Sequence, residues 1–160
     1  MRAIPVLVVL VWIYFAFPLL AGVNFAPFWA ALVALTLHIA AYSAEVIRAG
    51  IESVRPGQMR AGLALGMSRA QALRKIILPQ ATIRMLPAFG SVLTVAIKDT
   101  AIATVIAVPE LMHKAETIAG QSYRPIEVFT AVIVAYFVIL FPVTRGVDRL
   151  YQRYAHLGRS

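Results

Sequence analysis

The distribution of polar residues along this chain is uneven from the first turn. Between Arg2 and Glu45 there is no charged side chain at all. A helix crosses the hydrocarbon layer in roughly 20 apolar residues, so this stretch is too long for one crossing. Gly22-Val23-Asn24-Phe25-Ala26-Pro27 punctuates it, because Gly and Pro break helices and Asn tolerates turn geometry. The pattern predicts two spans, residues 4–22 and 28–48. The first is not a cleaved leader: it is long, carries Pro5 and Pro18, and lacks a small-residue cleavage site. A third span is predicted over 84–106, interrupted by Lys98-Asp99-Thr100. A fourth covers 126–144, opened by Pro125 and by Glu127 at the positive helix end.

Composition agrees. Hydrophobic residues make up 61% of the 160 and charged residues only 14%, against roughly 45–50% and about 25% in an ordinary soluble domain. That argues against a soluble enzyme and against a disordered basic tail. The expected fold is an all-α polytopic membrane bundle. There is no cysteine, which excludes disulfides, thiol chemistry and thiolate-bound metals.

Fifteen Lys and Arg stand against seven Asp and Glu, giving a net charge of +8. Most basic residues fall between spans two and three or after span four, as Arg145, Arg149, Arg153 and Arg159 do. The positive-inside rule then puts both termini and the middle loop in the cytoplasm. The excess charge records topology and contact with the anionic bilayer surface, and calls for no nucleic acid.

Residues 51–80 form the long polar stretch of that side. A first short helix is expected over 57–65, ending at Gly66 in left-handed geometry. Ser68 offers an N-cap with Gln71 three residues on. A second helix is expected to run to about Leu78 and to stop at Pro79. The spacing around Gly66 also suits a helix-turn-helix DNA reader. Membrane spans tether it at both ends, however, and no soluble bundle precedes it.

Arg60-Ala61-Gly62-x3-Gly66-x9-Ile76-x-Leu78-Pro79 resembles the EAA loop of binding-protein-dependent ABC importer permeases, with every spacing kept. The flanks are similar to the polar amino-acid subfamily: the stretch from Ala41 to Ile51, then Pro56-Gly57-Gln58, Lys98-Asp99-Thr100 and Arg124-Pro125-Ile126-Glu127. Arg2-Ala3-Ile4-Pro5 resembles that subfamily's Arg-Gly-Thr-Pro element. The resemblance implies a permease subunit in a bacterial inner membrane, paired with a second permease, identical or homologous. It implies a periplasmic solute-binding protein and a cytoplasmic ATPase dimer that the loop contacts through Arg60, Ala61, Gly62, Gly66, Ser68, Ile76, Leu78 and Pro79. No Gly-x4-Gly-Lys-Ser/Thr phosphate loop is present, so the chain is expected to be no enzyme, to hold no cofactor, and to leave ATP to its partner.

Two departures stand out. The Glu of the EAA pattern is Arg60, which reverses a charge, and its second Ala is Gly62, which weakens a helix by about 1 kcal/mol. Family members also usually carry one more span before the Arg-Gly-Thr-Pro element. A chain about one helix short is therefore expected, with a non-transporting permease fragment as the alternative reading.

Lys98 lies 14 residues beyond Arg84, roughly 21 Å along a helix. A charge at that depth costs roughly 2.5–3.5 kcal/mol even on the lenient scale, so it should face protein or water. Lys98, Asp99, Thr100 and mid-span His38 are candidates for the solute path. Lys98 and Asp99 would meet the carboxylate and ammonium of a zwitterion; a packing ion pair is the alternative. Adjacent positions point about 100° apart, so different partners are expected. For His38 a hydrogen bond to a neighbouring helix is favoured over a metal, because no His or carboxylate sits four residues away. Glu45 and Arg48 are expected to pair at the interface, and 109–123 to form a short external helix.

Overall fold

The computed structural model describes residues 4–154; Arg2, Ala3 and Arg159 lie outside them. The described residues are overwhelmingly helical, and no strand occurs among them. In order they form α1 (Val6–Val11), a wide π-turn (Trp12–Ala16), α2 (Phe17–Ala21), α3 (Pro27–Glu52), α4 (Pro56–Ala64) and α5 (Arg69–Ala72). A second π-turn (Leu73–Ile77), α6 (Leu78–Asp99), a 3-10 segment (Thr100–Ile106), α7 (Leu111–Ser122) and α8 (Pro125–Tyr154) follow.

The boundaries have local causes. Pro27, Pro56 and Pro125 each open a helix, where a missing N–H costs nothing. Gly22 at φ +66 and Gly66 at φ +78 take left-handed geometry at helix ends, which glycine tolerates. Pro18 and Pro79 each sit two residues past a π-turn. Their rings would collide with the carbonyls of Tyr14 and Lys75 in a regular helix. In both places the turn widens to i→i+5 bonds, Phe17 N–H to Trp12 and Leu78 N–H to Leu73. That is why the helix expected to stop at Pro79 does not. The helix continues from Arg69 through Pro79 into α6.

Pro27–Glu52, Arg69–Ile106 and Pro125–Tyr154 are each long and apolar enough to cross a membrane. The first predicted span is the apolar helix Val6–Ala21, interrupted by its π-turn. At about 24 Å it falls short of a hydrocarbon layer about 30 Å thick. The most apolar stretch of α8 buries nothing within the chain. Ile126, Ile133, Phe137 and Val138 stand more than 60% exposed, a surface that suits lipid or another membrane helix.

The described residues belong to two compact units, Met1–Tyr42 with Leu93–Pro142, and Ser43–Val92 with Val143–Ser160. The first packs Leu10 and Ile13 against Ala30, Ala31 and Ala34 of α3 and against Ala103 and Ile106 of the 3-10 segment. The alanines let backbones approach closely, which is how apolar helices associate where lipid supplies no hydrophobic drive. The second is centred on Val54, Ile77, Ala81 and Met85. Within it a Cβ at Gly50 would overlap the Met85 side chain, and one at Gly90 would overlap Val147. Replacing Gly90 by Ala should therefore destabilise the protein by about 1–3 kcal/mol. The Gly90→Ala/Val147→Ala double variant should recover most of the loss, read as thermal unfolding in detergent.

Candidate functional site

Two places carry the candidate chemistry, one in each unit. The first is the hairpin of α4 and α5 in the second unit. Ser68 accepts from Gln71 N–H at 3.2 Å, and Gln71 Oε1 accepts from Ser68 N–H at 2.9 Å. The capping box read from the sequence is thus closed on both sides. α4 ends at Ala64, and Met67 N–H bonds back to the Gly62 carbonyl around the left-handed Gly66.

Gly62 is buried, and a Cβ there would lie 3.0 Å from both Ala72 Cβ and Ile76 Cδ1. Glycine at this position gives the close approach of α4 to the following helix. Of the loop positions, Gly62 and Ala72 form the inner seam, whereas Arg60, Ala61, Leu65 and Ser68 stand exposed. Pro79 lies in the running helix and is no boundary.

Arg84 donates from its guanidinium to the Ser53 carbonyl, which satisfies an orphan acceptor at the end of α3. Glu45, Ser53 and Arg84 line a recess of about 350 Å³ with Gly50 and Met85. The expected Glu45–Arg48 pair is not formed: Arg48 is exposed and has no polar partner among the described residues. An exposed pair at this spacing gains only about 0.2–0.5 kcal/mol, less than the cost of ordering two long side chains.

The second place is a polar group in the first unit. His38 Nε2 lies 3.9 Å from Asp99 Oδ2, and the side chains are 10% and 20% exposed. The contact is an ion pair when the imidazole is protonated. The Tyr42 ring sits 5.1 Å from that imidazole, centre to centre. Lys98, one residue before Asp99, is exposed and has no polar partner among the described residues. The two neighbours have thus diverged, as their 100° separation requires.

Thr100 opens the 3-10 segment and donates to the Ile97 carbonyl at 2.7 Å. The apolar run is therefore interrupted where the helix changes type. Two participants were not singled out from sequence: Tyr42 as a partner of His38, and Thr104. Thr104 donates to Glu116 Oε2 at 2.8 Å, while Glu110 caps α7 by accepting from Met112 and His113 N–H.

A helical chain with long apolar crossings, an ordered polar hairpin and a polar pair set within apolar helices has the make-up of a polytopic membrane component. Over residues 1–156 it matches the family described as the binding-protein-dependent transport system inner membrane component, and it belongs to that family. It is 38% identical over 153 residues to the glutamine transport system permease protein GlnP of Escherichia coli K12, covering 95% of this chain and 70% of that one. A probable amino-acid ABC transporter permease protein of Bacillus subtilis, YckA, is 38% identical over 156 residues, covering 98% and 69%. Among solved structures, an amino acid ABC transporter with histidines superposes with a TM-score of 0.88 at 38% identity, covering 95% and 71%. The MetNI methionine ABC transporter in an inward-facing form matches at a TM-score of 0.77 and 22% identity, which speaks for the fold alone.

Proposed function

We propose that this chain is the permease subunit of an ATP-driven importer that carries a polar amino acid or similar small zwitterion. A second permease subunit, an ATPase dimer and a periplasmic binding protein complete the assembly, with ATP bound and hydrolysed by the ATPase. The observation that carries the reading is the closed hairpin of α4 and α5, together with membership of a family whose named relatives transport amino acids. A rigid element at the end of a 38-residue helix can pass motion of a cytoplasmic partner into the bilayer with little loss.

The basic residues favour an arrangement with both termini and this hairpin in the cytoplasm of a bacterial inner membrane. Lys98, Asp99, Thr100 and His38 are the proposed path residues. One cation and one anion on adjacent positions match the two charges of a zwitterion, and Lys98, exposed and with no polar partner among the described residues, is the group available for a carboxylate. Proteoliposomes holding the full complex should accumulate labelled amino acid when ATP and binding protein are supplied on the correct sides. Omitting either should abolish accumulation. A complete complex that hydrolyses ATP and takes up none of the polar amino acids would overturn the substrate.

A further inference from the structure

From Ser53 to Lys98 the chain has no Asp or Glu. Five cations fall on the hairpin: Arg55, Arg60, Arg69, Arg74 and Lys75. All five are exposed, and none has a polar side-chain partner among the described residues. Beside them Leu63 and Leu65 stand 40% and 77% exposed. The element is nonetheless ordered, by its capping box and by the close seam at Gly62. It is a pre-formed surface of one charge sign with apolar side chains at its tip.

We infer that this hairpin docks into an acidic cleft on its ATPase, with carboxylates facing Arg60 and the cations of the second helix, and an apolar floor under Leu63 and Leu65. The inference rests on the proposed reading of the hairpin as the ATPase contact. Burying Arg60 against a neutral or basic cleft would strip its hydration without replacing it. Carboxylates supply both acceptors and opposite charge for the guanidinium, and raise the association rate. An ATPase whose cleft is built to receive a carboxylate at the Arg60 position is thereby rejected, by like-charge contact.

An anionic membrane surface is the other class of partner for such a patch, and geometry disfavours it. Arg69 lies 15 residues before Arg84 on one unbroken helix, about 22 Å along the axis. The apolar run begins just after Arg84. With that helix along the bilayer normal, the tip stands beyond the 8–10 Å or so over which a charged bilayer acts at physiological salt.

The test uses the full chain in nanodiscs of neutral phosphatidylcholine, with its ATPase subunit titrated in. Binding of the wild type should weaken steeply as salt rises. Arg60→Gln should weaken it about tenfold, on the scale of one close charge pair, and Arg60→Glu should weaken it further by charge repulsion. Changing a facing cleft carboxylate to Lys should restore Arg60→Glu. Arg60 is exposed and has no polar side-chain partner among the described residues, so these variants should unfold at the wild-type temperature. Salt-independent binding with Arg60→Glu equal to wild type would overturn the acidic cleft and leave ATPase docking standing. Binding of the hairpin only to phosphatidylglycerol discs, with loss in Arg60→Glu, would assign the surface to the membrane instead. A wild type that never binds the ATPase would overturn the docking reading and the cleft together.

Discussion

Replacing Gly66 by Val should uncouple ATP hydrolysis from transport while leaving the membrane helices folded. Gly66 holds φ +78, and a Cβ there meets nothing within 4 Å. The penalty is therefore conformational and not steric crowding. A non-glycine residue in this region costs about 1–2 kcal/mol, and a β-branched one more. The hairpin has few local bonds with which to resist: Met67 N–H to Gly62, Gly66 N–H to Leu63 and the Ser68–Gln71 box. The Val variant should abandon the turn and let α4 swing off the seam at Gly62. Stimulation of the ATPase by the permease should fall by about tenfold or more, matching the loss of 1.4 kcal/mol or more of docking free energy. Gly66→Asn should retain most of the stimulation, because Asn tolerates left-handed geometry. The check is hydrolysis stimulated by the permease across the series Gly, Asn, Ala, Val. A flat series would show that the turn does not set the hairpin's docking geometry.

That turn was fully legible in the sequence, because its causes are local. A glycine, a Ser and a Gln at fixed spacing specify it without reference to anything distant. The membrane crossings were legible for a related reason, since runs of apolar residues need no partner to declare themselves. Pro79 shows where local reading fails. A proline predicts a stop, yet one widened turn absorbs its clash and the helix continues. The same device at Pro18 suggests that the π-turns are part of how these helices carry proline. The ends of the 3-10 segment and α7 were also hidden. They fall at Ala107 and Tyr123, both with φ near +55, where neither residue type advertises left-handed geometry. The His38–Asp99 contact joins residues 61 positions apart, and no spacing rule reaches that far.

Substituting Asp99 by Asn should damage uptake more than any other single change among the path candidates. Its carboxylate is 20% exposed and lies 3.9 Å from His38, while adjacent Lys98 has no polar partner among the described residues. The wild-type pair of neighbours is neutral overall. Asn at position 99 leaves His38 without its carboxylate partner, and Lys98 as the one charge at this point of an apolar helix. It also removes the anion proposed to receive the solute's ammonium group. The half-saturation concentration for amino-acid uptake should rise by about tenfold or more, since each 1.4 kcal/mol is tenfold.

The rival role is packing, in which Asp99 serves only to hold His38. The two roles separate in the His38→Asn variant. If packing is the whole function, His38→Asn and Asp99→Asn should lose similar thermal stability and similar uptake. If Asp99 meets the solute, His38→Asn should keep a near wild-type half-saturation while Asp99→Asn does not. A carboxylate analogue of the amino acid that lacks the ammonium group sharpens the comparison. It should compete poorly with uptake by the wild type, and should lose that disadvantage in Asp99→Asn, because the neutral amide no longer discriminates between the two ligands.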